Sequence, residues 1–418
     1  MTPAIAAVQS AANAAAGSAL CAATPFNRAL SGGMASLPSF QLSSQLSLRL
    51  SSSGWVGTLI TGPQGVVAPQ TVVLDAAAWR AKDWAHRMHE AVVALGPGDV
   101  AAIKAAVAAF EASGADLSAI QKPEHFPLPA SLTAKLAGVK RDLLHCRGFS
   151  LISGLPVCEW TERQCVAAYL GLSVHLGRPQ PQSKDGKLVN HREHAHNLEF
   201  SVHTDAQADV LGLLCIRQAK EGGVSSFASC LAVHNELLRR GRADLVQCLS
   251  GPGWYRDRTR YQDVPEGADP VWDMPVFSYH SGYLTTHYNS SHYRLCAQKW
   301  PERCGLTPLQ VEAMREFEAI ATDPAFQISH RLAPGEIILL HNSSVLHARS
   351  AFKDGEAPEE RRHLVRLWLG CADDRPQPVH LNFPRSYTTG YDRAAFEGLM
   401  APAPSKFHVP LSLEADDL

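Results

Sequence analysis

From Met1 to Leu74 the chain contains no aspartate and no glutamate, and its only basic residues there are Arg28 and Arg49. Alanine and serine fill much of the same stretch. An acid-poor, Ser/Ala-rich leader is the composition of an organelle transit peptide, and the sparse arginine suits a plastid leader slightly better than a mitochondrial one. A disordered, low-complexity extension without an address is the alternative. Residues 1–70 are therefore set apart as a transit peptide or disordered leader, and a cytoplasmic location holds if the leader carries no address. No apolar run approaches the roughly 18 residues that would suggest a membrane span. The ten cysteines include no Cys-x-x-Cys pair and form no dense framework, so they read as reduced residues of an intracellular protein. A net charge of -2 with pI near 6.8 lacks the basic footprint of a nucleic-acid binder. What is left is a protein for a small-molecule partner, with homo-oligomerisation left open.

The body begins near residue 71 and runs to about 400 as one domain, followed by a peripheral, acid-ended tail over 401–418. Its first part reads as helical. Asp75 is placed to cap a helix whose Trp84, Met88, Ala91, Val92 and Leu95 share one face. Further helices are expected over residues 99–113, 131–145 and 161–176, the last capped by Thr161. The run from Gly148 to Gly154 reads as a buried strand. Beyond it short strands alternate with Gly, Pro and polar turns, and one helix, over residues 307–322, interrupts them. Many short strands with a few packing helices predict a mainly β protein with a double-stranded β-helix, or jelly-roll, core.

His203-Thr204-Asp205 stands within this strand-rich part, and His347 follows far downstream after the apolar run Ile337-Ile338-Leu339-Leu340. Two imidazoles and a carboxylate are the ligand set that holds a non-haem ferrous ion and leaves coordination positions open for chemistry. Alternate side chains on a strand share a face, so His203 and Asp205 can converge on one ion. Alone, His-x-Asp is weak evidence. Its company makes it specific: Arg366 lies on the apolar strand Leu364-Val365-Arg366-Leu367-Trp368-Leu369. An inward arginine there suits the carboxylate of an acidic co-substrate, since a planar guanidinium donates two parallel hydrogen bonds.

With these residues in view, the chain resembles the taurine dioxygenase/TfdA-like branch of the iron(II)- and 2-oxoglutarate-dependent oxygenases, in the clavaminate-synthase-like group. The likeness rests on His203-Thr204-Asp205, Glu221-Gly222-Gly223-Val224-Ser225, Leu332-Ala333-Pro334-Gly335-Glu336, the segment Asn342 to Arg349, and Arg361 to Leu369, over roughly residues 135–380. The resemblance implies that His203, Asp205 and His347 hold Fe(II). It implies that Arg366 pairs with the far carboxylate of 2-oxoglutarate, helped by the Ser225 hydroxyl, with Arg362 available for the other end. Dioxygen is the further co-substrate, and succinate and CO2 are the products. Related halogenases lack the carboxylate ligand. The presence of Asp205 therefore favours oxygen insertion, desaturation or another oxidative outcome over halogenation, and hydroxylation of a small polar or anionic metabolite is the default expectation.

Substrate contacts are expected from the polar stretch Asn190 to Asn197, read as a loop over the site that offers Asn190, Arg192 and Asn197. Arg349, two residues after His347, either contacts substrate or braces a ligand. His191, His194 and His196 are read as residues of that loop rather than a second metal site. Tyr279, His280, Tyr283, His287 and Tyr288 either line the pocket or pack as ordinary strand residues. Asn289-Ser-Ser and Asn342-Ser-Ser match the glycosylation pattern but are read as unmodified. The alternative to an enzyme is a catalytically silent jelly-roll that serves as a binding or sensor module.

Overall fold

The computed structural model describes residues 68–371 apart from short interruptions at 183–186, 193–196, 206–207, 281 and within 258–268; it also describes short strand pieces between residues 47 and 66, Arg375, and residues 407–411. The leader over 1–70 thus lies mostly outside the described residues. Among the described residues, no helix is long and apolar enough to cross a membrane.

Eleven strands build the core: β1 (Val92–Ala94), β2 (Phe149–Ser153), β3 (Arg178–Gln180), β4 (Val189–Arg192), β5 (Phe200–His203), β6 (Val210–Arg217), β7 (Ser225–Ser229), β8 (Gln327–His330), β9 (Ile337–His341), β10 (Val345–Arg349) and β11 (His363–Gly370). They form two sheets. The seven-stranded sheet runs β1-β2-β9-β6-β11-β3, with β4 paired to β11 beyond β3's end. The four-stranded sheet runs β8-β7-β10-β5. All pairings are antiparallel except β1 with β2.

Side-chain alternation explains why two sheets face each other. On β6, Leu211 and Cys215 enter the space between the sheets, while Val210, Leu214 and Ile216 point outward. On β11, Leu364 and Trp368 point inward, and Val365, Leu367 and Leu369 outward. The outward face of the large sheet is covered by α1 (Pro97–Ala112), α2 (Ala130–His145) and α3 (Glu162–Ser173) through residues such as Ile103, Leu136 and Leu170. The small sheet's outer face, with Val202, Ala228 and Leu346, is covered by α4 (Cys230–Arg239), α5 (Ala243–Ser250), α6 (Ser290–Lys299) and α7 (Pro308–Ala321). Between the sheets, Phe149 meets the rings of Trp79, Trp84 and Phe227 with centroids 5.0, 4.9 and 5.0 Å away. This aromatic plug closes one part of the barrel and leaves the polar residues gathered elsewhere in it.

The expected jelly-roll core is present, and so are three of the four helices expected before the strands, with Thr161 capping α3 through its hydroxyl. The helix expected from Asp75 to Leu95 is not formed. Only Ala81–Trp84 is α-helical, Met88–Ala91 is a 3-10 turn, and Val92–Ala94 is the parallel edge strand β1. Trp79 and Trp84 face the Phe149 plug, and β-branched Val92 and Val93 gain sheet pairing that a helix would forfeit. The single helix expected among the strands, α7 with its Thr307 cap, has company in α4, α5 and α6. Each is short. Ser229 caps α4 and Asn289 caps α6, so Asn289 of the first Asn-Ser-Ser is a helix cap. In the tail, His408 bridges Lys187, and Val409 and Leu411 pack on the core beside α1–α3, so residues 407–411 lie against the body.

Candidate metal and co-substrate site

His203 ends β5 and His347 sits directly opposite it on β10, both facing into the barrel. Their ring centroids are 4.1 Å apart. The Nδ1–H of His203 donates to the carbonyl of Ser201 at 2.8 Å, a tautomer that leaves Nε2 as a lone-pair donor. Asp205 reaches the same point by a route different from the expected strand. The strand stops at His203, and Thr204-Asp205 turn away from it. The turn is clamped from both sides. Thr204 N–H donates to the Tyr288 carbonyl at 2.7 Å. Asp205 N–H donates to Asn342 Oδ1 at 2.8 Å, while Asn342 Nδ2 donates to the carbonyls of Asp205 and Ala208 at 2.9 Å each. Asn342 is 1% exposed. The asparagine of the second Asn-Ser-Ser therefore fixes the carboxylate's turn.

Asp205 Oδ1 lies 3.6 Å from His203 Nε2 and 3.8 Å from His347 Nε2. Among the described residues, these three form a cluster whose ligating atoms all lie within 4.8 Å of one another. The donor chemistry fits a divalent transition-metal ion: two neutral imidazoles and one carboxylate, mostly buried. Burial alone would push the Asp205 carboxyl up. The Arg366 guanidinium is the foremost influence against burial, and the group is held well below the usual carboxylate range.

The two arginines of β11 divide. Arg366 shares the inward face of β11 with Leu364 and Trp368, and Arg362 lies four residues earlier, just before the strand. Arg366 lies at the metal end: Nη1 donates to Asp205 Oδ2 at 3.2 Å and Nε to Gln182 Oε1 at 2.7 Å. Arg362 precedes the strand at the other end and is 4% exposed. Its side chain runs against Gly223, where an added Cβ would stand 3.1 Å from Arg362 Nε. Gly222 and Gly223 have φ of +69° and +65°, so the Gly-Gly pair both makes the left-handed turn and clears room for the arginine. Ser225 begins β7 just beyond and pairs with Arg349 of β10. The guanidinium groups of Arg349 and Arg362 both lie over the Phe352 ring, at 4.8 and 5.1 Å. Burial, with Arg349 adding to it, pushes Arg362 down to about 10. An anion received here would offset that cost. Ser225 thus has Arg349 as its register partner, and Arg362 lies against Gly223 two residues before it.

The other expected contacts fare unevenly. Asn190 is buried and lies on β4 directly opposite Arg366, so the stretch read as a loop opens as a strand that pairs with β11. Arg192 pairs with Leu364 on the same strand, and His191 with Val365. His194 and His196 lie outside the described residues. Asn197 is exposed, and its carbonyl accepts from Phe352 N–H at 3.0 Å. Arg349 Nη2 donates to the Leu198 carbonyl, tying β10 to the same segment. Of the aromatic segment, Tyr279 and Tyr288 pack in the core under the small sheet, and Tyr288 stacks on Phe317 at 4.2 Å. Sequence reasoning gave no role to Asn342's side chain, Gln182 or Trp368. The first was masked by a glycosylation pattern and the last by its apolar neighbours.

Comparison with known proteins agrees with this geometry. Residues 111–368 match the family model described as taurine catabolism dioxygenase TauD, TfdA family. FR-33289 synthase of Streptomyces rubellomurinus is 30% identical over 280 residues, covering 62% of this chain and 79% of that protein. A taurine hydroxylase-like protein of Stachybotrys chartarum is 28% identical over 299 residues, covering 66% of this chain and 74% of its own. Among solved structures, an asparagine oxygenase in complex with Fe(II), hydroxyasparagine and succinate superposes with a TM-score of 0.51 at 20% identity, covering 67% of this chain and 93% of its own. That likeness speaks for the fold. The chain belongs to the TauD/TfdA family of Fe(II)- and 2-oxoglutarate-dependent dioxygenases.

Proposed function

We propose that this dioxygenase hydroxylates a small polar or anionic metabolite, and that His203, Asp205 and His347 hold its ferrous ion. The observation that carries the reading is the convergence of three ligating atoms beside Arg366 of β11, with buried Arg362 just before that strand. Bound ferrous iron with 2-oxoglutarate and dioxygen supplies C–H oxidation, coupled to release of succinate and CO2. The protein's share is positioning and exclusion of water. The Nε2 lone pairs of His203 and His347 and the Oδ1 charge of Asp205 bind the cation. Arg362, Ser225 and Arg349 are placed to receive the far carboxylate of the co-substrate, and Arg366 stands at the metal end with Asn190 beside it. This division moves the far-carboxylate role from Arg366 to Arg362, supported by the contact of Arg362 with Gly223 near Ser225. Trp79, Phe149 and Phe227 pack together between the sheets and fill part of the barrel with apolar rings.

A polar or anionic substrate is supported by the cationic residues around the site. One relative in Amycolatopsis, 31% identical over 172 residues, is named uridine-5'-phosphate dioxygenase, for an anionic nucleotide. The acid-poor composition of the first 74 residues supports an organellar address for the leader. The test is succinate formation from 2-oxoglutarate by the protein reconstituted anaerobically with Fe(II) and then exposed to oxygen, with panels of small anionic and zwitterionic metabolites. Stimulation by one metabolite, lost in His203→Ala, is the expected result. A protein that binds metabolites but forms no succinate with any of them would favour the silent binding module.

A further inference from the structure

The two oxygens of Asp205 do different work. Oδ1 faces the imidazole nitrogens of His203 and His347 at 3.6 and 3.8 Å. Oδ2 accepts the indole N–H of Trp368 at 2.6 Å and Nη1 of Arg366 at 3.2 Å. We propose that Trp368 is a positioning residue that keeps Asp205 to one-oxygen coordination of the iron, preserving an open position that a two-oxygen carboxylate would occupy. The inference rests on the iron site proposed above.

The chemistry makes that position matter. An ion held by two histidines and one carboxylate oxygen would keep three positions for co-substrates, the last of them open to dioxygen. Asp205 binding through both oxygens would fill it. A short hydrogen bond to Oδ2 opposes that by tying the second oxygen to a fixed donor. Arg366 alone cannot be the fixed donor. It also donates to Gln182, and it is the cation at the metal end that a bound carboxylate would attract. The indole N–H is a single neutral donor with no such competitor. Trp368 is 6% exposed, and its neighbours Leu367 and Leu369 are anchored in the core on the opposite face of β11. The Arg366 guanidinium also lies over the indole ring at 4.8 Å, so the ring orients the arginine while its N–H orients the carboxylate.

Trp368→Phe separates the two tasks, since it keeps an aromatic face under Arg366 and removes the N–H. Trp368→Tyr returns a donor on a ring. The full chain of each is titrated anaerobically with Fe(II), and the visible ligand-field spectrum of the Co(II)-substituted protein is recorded with and without 2-oxoglutarate. Thermal unfolding of the metal-free proteins reports any loss of structure. The expected result for Trp368→Phe is a fall in Fe(II) affinity of roughly 10- to 100-fold, as is typical when a partner of a metal ligand is removed. The cobalt spectrum should also change, with metal-free stability little altered. Trp368→Tyr should recover much of both. Wild-type iron affinity and cobalt spectrum in Trp368→Phe would overturn the proposal, as would equal losses in the Phe and Tyr variants. If Trp368→Phe fails to fold, Trp368→Tyr decides alone: near-wild-type iron affinity supports the donor role, and a Phe-sized loss refutes it. Full iron affinity in Asp205→Ala would instead refute the underlying iron site.

Discussion

Arg362→Ala should abolish tight 2-oxoglutarate binding while leaving Fe(II) binding close to wild type. The side chain is buried against Gly223 and over the Phe352 ring, with Arg349 close by. Truncating one partner of a buried, hydrogen-bonded charge pair costs on the order of 2–5 kcal/mol, a loss of about 30-fold or more in affinity. The measurement is a titration of the anaerobic Fe(II) protein with 2-oxoglutarate, followed by the visible charge-transfer absorption of the chelate. A straight-chain 2-oxo acid without the far carboxylate is the control. Its weak binding should be the same in wild type and Arg362→Ala, because it has nothing for Arg362 to hold. Arg366→Ala should differ in kind, affecting metal and co-substrate together, since Arg366 donates to Asp205 Oδ2. If Arg366→Ala alone lost 2-oxoglutarate selectively, the far carboxylate would belong to Arg366.

Asp205→Ala should remove iron binding at micromolar Fe(II). The carboxylate supplies the only negative charge in the cluster of three ligands, and against burial the Arg366 guanidinium helps keep it ionised, well below the usual carboxylate range. The loss should exceed the roughly 10- to 100-fold expected from removing an outer partner such as the Trp368 N–H. Anaerobic dialysis followed by iron determination checks it. Wild-type iron affinity in Asp205→Ala would show that this carboxylate is not a ligand.

Much of this site was legible from particular residues. His203, Asp205 and His347 carried their chemistry in residue type and spacing. The Gly222-Gly223 pair signalled a special backbone, and the structure gives its purpose as room for Arg362. The division between Arg362 and Arg366 was not legible. The two are four residues apart, and only tertiary packing sets Arg366 of β11 against Asp205 and Arg362, just before the strand, against Gly223. Trp368 read as one more apolar residue of a core strand, because hydropathy says nothing about where an indole N–H points. Asp205 was expected from strand alternation, yet it arrives through a turn held by Asn342, 137 residues away. The polar stretch at Asn190 read as a loop because a strand facing a charged interior lacks the apolar signature of a core strand. In the fold, α1 to α3 were legible because each carries repeated apolar positions over three or more turns. The helix expected from Asp75 failed because its apolar spacing served an aromatic plug and an edge strand instead, a tertiary preference that local periodicity cannot register.

The most direct test of the site is the binding stoichiometry of Fe(II) and 2-oxoglutarate to the full chain under anaerobic conditions, read by iron determination and by the charge-transfer absorption. One iron and one 2-oxoglutarate per chain, both lost in His347→Ala, is the predicted result. Iron bound without any 2-oxoglutarate chelate, or a chelate that survives His347→Ala, would contradict it.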